Sequence, residues 1–291
     1  MLLARIRGAE GRPAAAAWID DRLVELPASK EPAFESLATL MAAGDAALAR
    51  AQAHAREAIA AGRSLDARQA RFLSPTTPSA FLGLGYNYRE LAANEGLPLN
   101  KHPELFAKLP RCAVGHEHPI RVPRVVDKLD FEAELAVVIG RTASRVKAKD
   151  ALEYVGGYTI CNDLTAKVIP RPVESGSIVV PLKAVDTFGP MGPALIPARG
   201  IDPQSLTLTC RVNGRERQRF STRDMVHTVA EVIEYITARI TLDPGDVITT
   251  GTSLGIGIIQ KPPVFLAEGD VVEMQIEGYP ALRNRIEWEK E

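Results

Sequence analysis

The sequence predicts an α+β fold dominated by β-strands and preceded by a small N-terminal α/β unit. Short runs rich in Val, Ile, Thr and Leu follow residue 81, and Gly, Pro and Asp turns separate them. Two stretches have the apolar spacing of helices instead, an Ala-rich one over residues 35–70 and the later segment MVHTVAEVIEYITARI. The length of 291 residues allows about two domains.

The predicted elements follow in order along the chain. Residues 1–27 alternate as short strands do, and residues 35–70 supply one or two helices with a break at Gly44 and a stop at Gly62. The connector FLSPTTPSA then indicates a boundary. We therefore predict a small domain over residues 1–75 and a larger one over residues 76–291. The strand candidates of the larger domain are AELAVVIG, GYTICND, SLTLTCRVNG, DVITTGT and DVVEMQIEG.

Composition excludes several classes of function. Lys plus Arg total 35 against 36 for Asp plus Glu, so no basic face for nucleic acid is expected. No apolar run approaches the roughly 18 residues of a membrane span. The start, MLLARIRGAEGRP, lacks a signal-peptide core, and a cytoplasmic location is expected. The cysteines form neither a zinc nor a thiol-redox pattern, which suits a reducing compartment: Cys112, Cys161 and Cys210.

An acidic alternation is the first candidate for chemistry. Asp130, Glu132 and Glu134 would share one face of a strand. A solvated edge strand is one explanation, but the apolar run AVVIG follows, and like charges in a partly buried place require a cation. A second apolar run ends at Asp163. If the two strands are neighbours, Glu132, Glu134 and Asp163 could converge on Mg²⁺, Mn²⁺ or Ca²⁺, which prefer oxygen ligands.

Several separated segments together resemble the fumarylacetoacetate hydrolase family. The resemblance covers residues 80–287, about seven tenths of the chain. It implies a mixed β-sandwich-like roll, usually a homodimer, with Mg²⁺ or Mn²⁺ held by Glu132, Glu134 and Asp163 and a small 2-oxo or diketo acid as substrate. The segments are FLGLGYNYRELAANEG, LDFEAELAVVIG, GYTICNDLTA, PLKAVDTFGPMGP, LDPGDVITTGTSLGIG and FLAEGDVVEMQIEGYPALRNRI.

The resemblance also implies residues that contact the substrate. The family pattern K-x-x-D-T matches Lys183 and Thr187, and an ammonium there would offset the net charge of about −1 left by three carboxylates and one divalent ion. Thr252 is similar to a family threonine that faces substrate, although its segment could be an ordinary turn. A surface lysine is the alternative for Lys183. Tyr86 belongs to the family motif and is assigned to substrate binding.

Two positions differ from the family pattern. Lys167 stands where relatives often carry an arginine, which replaces a bidentate fork by a point charge. Pro170 stands where some relatives have glutamine. The acid that is recognised could therefore differ from that of the founding hydrolase.

The chain also departs from the hydrolytic family motif N-Y-R-D-H-x-x-E, whose His and Glu move a proton. Leu91 and Asn94 stand in their places. Glu90 or Glu95 could supply a carboxylate instead, and His102 could replace the missing base, although a solvated loop residue is the alternative for His102. We expect these groups to lie in a lid, residues 91 to about 110, whose Gly and Pro content predicts that much of its length lacks stable regular structure.

A 2-oxo acid could chelate such a metal, which would stabilise an enolate. On family frequency we expect a hydrolase that cleaves a C–C bond in an acylpyruvate or β-diketo acid, with Lys183, His102 and Glu95 as catalytic candidates. The missing His and Glu favour an isomerase, decarboxylase or dehydratase of a 2-oxo acid. A catalytically silent relative that binds metal or keto acid without turnover is a third possibility.

The resemblance predicts a homodimer formed by the C-terminal domain. Light scattering on the purified protein at micromolar concentration should give about twice the mass of one chain, which is 31.5 kDa. A monomeric mass would contradict this prediction.

Overall fold

The computed structural model describes residues 1–168 and 182–290, and it confirms an α+β fold built mostly of sheets. The helices are α1 (Leu37–Ala42), α2 (Gly44–Ala60), α3 (Arg89–Asn94), α4 (Ala148–Ala151) and α5 (Val229–Thr237). The strands are β1 (Leu2–Arg7), β2 (Pro13–Ile19), β3 (Arg22–Glu25), β4 (Leu65–Asp66), β5 (Phe81–Gly85), β6 (Glu104–Lys108), β7 (Ala113–Val114), β8 (Ile120–Val122), β9 (Lys128–Asp130), β10 (Ala133–Ile139), β11 (Val155–Asn162), β12 (Thr165–Val168), β13 (Gly189–Pro197), β14 (Thr207–Val212), β15 (Arg215–Ser221), β16 (Val247–Thr249), β17 (Val271–Ile276) and β18 (Leu282–Trp288).

One long sheet runs through the molecule. Its order is β4-β3-β2-β1-β13-β11-β10-β16-β5-β6, and β7 pairs with β13 beside this path. A second sheet has the order β15-β14-β17-β18-β8, and β9 pairs with β12. The N-terminal strands join the long sheet where Leu3 lies opposite Leu195. The sheet therefore continues across the connector near residue 75, and the two-domain division stays a prediction.

The N-terminal helices form where the sequence predicts them. Ser36 caps α1, because its Oγ accepts a hydrogen bond from the Thr39 backbone N–H at 3.0 Å and the Thr39 hydroxyl accepts one from the Ser36 N–H at 2.9 Å. Gly44, with a φ of 73°, begins α2 and separates it from α1. Small side chains let α2 pack closely against the sheet: Ala47, Ala51, Ala55 and Ala58 are buried.

The central strand β10 is buried along its whole length, as its apolar run predicts. Its alternate residues enter two different cores, because side chains along a strand point to opposite faces. Leu135 and Val137 pack in the cluster that contains Ile233 of α5. Ala136 and Val138 pack in the cluster that contains the alanines of α2. Strand β10 is thereby packed between α5 on one face and α2 on the other.

The expected lid is partly regular. Helix α3 extends to Asn94, and β6 pairs with β5 from Glu104 to Lys108, so the prediction of little regular structure is wrong at both ends and holds for residues 95–103. The physical reason is a complete antiparallel ladder between β5 and β6. Within the two described ranges, no helix combines the length and apolarity that a membrane span requires.

The ladder of β5 and β6 depends on a glycine. The ring of Phe106 lies over Gly83, where an added Cβ would come within 2.3 Å of the ring. Gly85 lies opposite Glu104, and an added Cβ there would be 3.5 Å from the nearest Glu104 carbon, an ordinary contact. The two positions therefore form a matched pair for testing how tightly β6 is packed.

We predict that Gly83→Ala lowers the free energy of unfolding by about 1–3 kcal/mol, since the new methyl group overpacks against a rigid ring. Gly85→Ala should change it by less than about 0.5 kcal/mol. Urea unfolding of both variants beside the wild type measures the difference. Equal stability of the two variants would show that the Phe106 ring can be displaced without loss of unfolding free energy.

Candidate functional site

Three buried carboxylates meet where β10 and β11 pair. Glu132, Glu134 and Asp163 are all buried, and each offers an oxygen within 4.8 Å of the other two. The two strands are antiparallel neighbours, with Ala133 opposite Asn162, as the convergence of these side chains requires. The Asp163 backbone N–H donates to the Glu132 carbonyl at 2.9 Å. The sheet thus fixes the spacing of the cluster.

The first carboxylate of the acidic alternation, Asp130, lies elsewhere. The strand is interrupted after Asp130, which ends β9, so Asp130 does not join the cluster. Its carboxylate accepts hydrogen bonds from the Gly257 N–H at 2.6 Å and the Ile258 N–H at 3.1 Å. Asp130 therefore holds the loop that follows β16.

Three lysines surround the carboxylate cluster. Lys183 Nζ donates to Glu132 Oε2 at 2.6 Å and also to Asp163. Lys108 Nζ, which is fully buried, donates to Asp163 Oδ1 at 2.5 Å. Lys167 Nζ donates to Glu132 Oε1 at 2.8 Å. Lys108 was missed from sequence, although the alternation of Glu104, Phe106 and Lys108 is a strand signal that could have indicated it.

The charges are unequally compensated within the cluster. Burial raises the pKa of Glu132, but the ammonium groups of Lys167 and Lys183 outweigh burial and hold this pKa below its usual value. Burial and the negative charge of Asp163 raise the pKa of Glu134 well above its usual value. Burial alone would lower the pKa of Lys183, yet the carboxylates around it raise it. Glu134 is thus the carboxylate whose charge an added cation would stabilise most.

The donor set fits a hard divalent ion. Glu132, Glu134 and Asp163 offer oxygen atoms only, and the mutual distances of up to 4.8 Å suit ligands on one ion. The Lys183 ammonium already bridges Glu132 and Asp163, because a positive charge between these carboxylates offsets their mutual repulsion. Glu134 also accepts a hydrogen bond from the Gly251 N–H at 2.7 Å, which orients its carboxylate.

A cavity of about 220 Å³ opens onto this cluster. Leu91 lines it, at the position of the His in the hydrolytic motif, and offers no proton-transfer group. A larger and more open hollow of about 510 Å³, between Arg121 and Trp288, contains none of the clustered residues. The side chains that line the smaller cavity are Leu84, Tyr86, Leu91, Glu104, Phe106, Glu132, Glu134, Lys167, Leu182, Lys183, Thr252 and Ile256, together with Gly85.

The residues predicted to bind substrate divide into two groups. Lys167, Lys183, Tyr86 and Thr252 line the cavity. Gln218 Nε2 donates to the Thr252 hydroxyl at 2.9 Å and so holds it in place. Thr187 is not among the lining residues, and its hydroxyl accepts a hydrogen bond from the Arg121 backbone N–H at 3.0 Å. The assigned roles stay predictions, and Pro170 lies outside the described residues.

The lid candidates do not reach the cavity in this conformation. The ring of His102 stacks on Tyr235, with centroids 5.9 Å apart. Glu95 caps the end of α3 and is exposed to solvent. Neither residue is among those that line the cavity. Their proposed part in proton transfer stays a prediction, which would require the lid to move.

Comparisons with known proteins agree with the family resemblance found in the sequence. Residues 80–287 match the family model described as fumarylacetoacetate (FAA) hydrolase C-terminal. An oxaloacetate tautomerase of Xenopus laevis, fahd2, is 39% identical over 212 residues, which are 72% of this chain and 66% of that protein.

Two solved structures are similar over the full length of both chains. One is 5-carboxymethyl-2-hydroxymuconate delta-isomerase of Mycobacterium smegmatis, with 31% identity and a TM-score of 0.77. The other is maleylpyruvate hydrolase of Sphingobium sp. SYK-6, in complex with manganese(II) and pyruvate, with 25% identity and a TM-score of 0.78. These names include a tautomerase, an isomerase and a hydrolase.

We predict that two neutral substitutions change the stability of the metal-free protein in opposite directions. Glu134→Gln removes a charge that burial disfavours, so the free energy of unfolding at pH 8 should rise. Glu132→Gln removes the partner of Lys167 and Lys183, so it should fall on the order of 3 kcal/mol. Urea unfolding in EDTA measures both.

The pH dependence follows from the signs of the two pKa shifts. Because folding raises the pKa of Glu134, its destabilising effect develops as pH rises above about 5, and the gain from Glu134→Gln should grow from there to pH 8. Folding lowers the pKa of Glu132, so its contribution is fully present over that range and is lost only at acid pH. Changes of the same sign in both variants would contradict this charge distribution.

Proposed function

This chain belongs to the fumarylacetoacetate hydrolase family, and we propose that it is a Mg²⁺- or Mn²⁺-dependent enzyme that interconverts the keto and enol forms of a 2-oxo acid. The observation that carries the proposal is a carboxylate triad at a cavity whose hydrolytic His position is occupied by Leu91. Moving a proton next to a carbonyl requires less machinery than activating water for C–C cleavage. The names of the tautomerase and isomerase relatives support the same reaction class.

In this proposal Glu132, Glu134 and Asp163 hold the ion. When bound, a divalent ion supplies a Lewis acid that withdraws electron density from a carbonyl oxygen. Lys183 and Lys167 line the same cavity and offset the negative charge of the acid. The match to K-x-x-D-T, which suggested Lys183, also suggested Thr187; its hydroxyl accepts a hydrogen bond from the Arg121 backbone N–H, and its part in substrate binding stays a prediction.

The remaining lining residues give the substrate its orientation. The Thr252 hydroxyl and the Tyr86 phenol are polar groups that can bind the oxygens of the acid. The apolar side chains of Leu84, Leu91 and Ile256 also line the cavity and offer no group that could activate water. Their presence favours proton transfer over hydrolysis of a C–C bond.

Hydrolysis of an acylpyruvate or β-diketo acid is the second candidate. The similarity to maleylpyruvate hydrolase favours it. This reaction needs a group that activates water, and His102 or Glu95 would have to enter the cavity from the segment after α3. Decarboxylation, dehydration and silent binding of a keto acid are further outcomes that the same assay separates.

Two expectations accompany the proposal. The homodimer implied by the family resemblance stays a prediction. The cytoplasmic location expected from the first residues also stays a prediction, since the Xenopus relative is named a mitochondrial protein. Neither expectation affects the chemistry of the cavity.

The test is product analysis with a panel of acids. Purified protein with Mg²⁺ or Mn²⁺ should convert enol oxaloacetate to the keto form without loss of carbon, and EDTA should abolish the effect. Glu134→Ala should weaken Mn²⁺ binding by more than about 100-fold in calorimetry, exceeding the usual effect of an outer-shell ligand, while Glu35→Gln, an exposed site, should bind normally. Release of pyruvate from an acylpyruvate would instead identify a hydrolase, and release of CO₂ a decarboxylase.

A further inference from the structure

We propose that Glu104 is the general base that removes the proton from the carbon next to the keto group of the substrate. The inference rests on the proposed function and supplies the proton acceptor that Leu91 and Asn94 do not provide. Glu104 lies at the start of β6 and lines the cavity together with Glu132, Glu134 and Lys183.

The alternation of β6 places Glu104 on the same face as Lys108, which binds the carboxylate cluster, and Phe106, which contacts Lys183. Lys108 Nζ binds Asp163 at 2.5 Å, and the Phe106 ring centroid lies 5.0 Å from Lys183 Nζ. Side chains two residues apart share a strand face and are roughly 7 Å apart. Glu104 is therefore the next side chain outward along the face that builds the site.

The facing strand leaves room for the Glu104 carboxylate. Gly83 and Gly85 of β5 lie opposite Phe106 and Glu104, so no side chain of β5 covers this face at either position. Any larger residue at Gly83 would displace the Phe106 ring. The space over this face of the β5–β6 ladder belongs to the cavity, since Gly85, Glu104 and Phe106 all line it.

A hydrogen bond positions the carboxylate while leaving one oxygen available. Asn100 Nδ2 donates to Glu104 Oε2 at 3.2 Å. The Asn100 carbonyl in turn lies 3.0 Å from His227 Nε2, which ties the segment after α3 to the segment before α5. Glu104 Oε1 makes no hydrogen bond within residues 1–168 and 182–290. A carboxylate held at one oxygen and free at the other suits proton abstraction.

Among the described residues that line the cavity, the other ionisable groups are already committed. Glu132 and Glu134 are the proposed ligands, and Lys167 and Lys183 bind Glu132. Tyr86 is a phenol, which is a weak acceptor of a proton from carbon. A carboxylate is an established type of base for a carbon next to a carbonyl. Among these lining residues, Glu104 is then the carboxylate that remains available as a base.

The step is balanced without a further reactant. The C3–H bond breaks and its proton forms a bond to Glu104 Oε1. The C–H electron pair becomes the C2=C3 double bond, and a carbonyl electron pair moves onto the keto oxygen. Return of the proton to that oxygen through water gives the enol and restores the Glu104 carboxylate. Nothing is oxidised or reduced, and the reverse sequence regenerates the ketone.

Exchange of the methyl protons of pyruvate with D₂O isolates this step from the rest of the reaction. With saturating Mg²⁺, NMR should show exchange by the wild type that is slowed about 10²–10⁴-fold in Glu104→Gln. Glu104→Asp keeps a carboxylate and should retain more exchange than Glu104→Gln. Pyruvate affinity, measured by calorimetry, should change by less than about 3-fold in both variants, because Glu104 acts on the proton and not on the anchoring oxygens. Glu35→Gln is the exposed control.

The outcomes separate the base from the proposed function. Normal exchange by Glu104→Gln beside an active wild type overturns the role of Glu104 alone, and loss of exchange in His102→Ala or Glu95→Gln would then assign the base to the lid. A loss of pyruvate affinity as large as the loss of exchange would make Glu104 a binding residue and also overturn the proposal. Wild-type protein that binds Mg²⁺ and pyruvate but exchanges no protons overturns the proposed function together with its base.

Discussion

The structure depends on one electrostatic constraint, which is the burial of three carboxylates at the paired ends of β10 and β11. Such a cluster is unstable unless cations enter it. Ammonium groups arrive from separate parts of the chain, with Lys108 on the edge strand β6, Lys167 on β12 and Lys183 just before β13. The long sheet, its edge ladder and the segment before β13 are therefore joined by charge as well as by packing.

Short-range patterns predicted the centre of the site. Glu132 and Glu134 are two residues apart, and Asp163 follows an apolar run, so their convergence required only that two buried strands be neighbours. Asp130 obeyed the same spacing yet lies outside the cluster, because a break in the strand redirects it to the loop at Gly257. A break between β9 and β10 has no signature in an alternation of acidic residues.

Long-range pairing was the part that sequence reasoning missed. The segment LPLNKHPELFAK contains prolines and was assigned to a lid, although its last five residues form β6. The ladder that stabilises β6 lies on β5, about twenty residues earlier, and depends on the space above Gly83. The alternation of Glu104, Phe106 and Lys108 is a strand signal, but only the fold shows that Lys108 and Glu104 lie at the site. The family, in contrast, could be identified from sequence because several separated motifs occur in one order.

The pairing of β1 with β13 affects how the chain can be divided. A fragment that starts at residue 76 would keep every clustered carboxylate and lysine, but β13 would lose its partner β1 on the side away from β11. The exposed edge would carry Ala194 and Leu195, which lie opposite β1 and are buried in the whole chain. Unpaired apolar edges promote intermolecular strand addition. In the whole chain, the hairpin of β1 and β2 therefore covers the edge of β13 that the shorter fragment would expose.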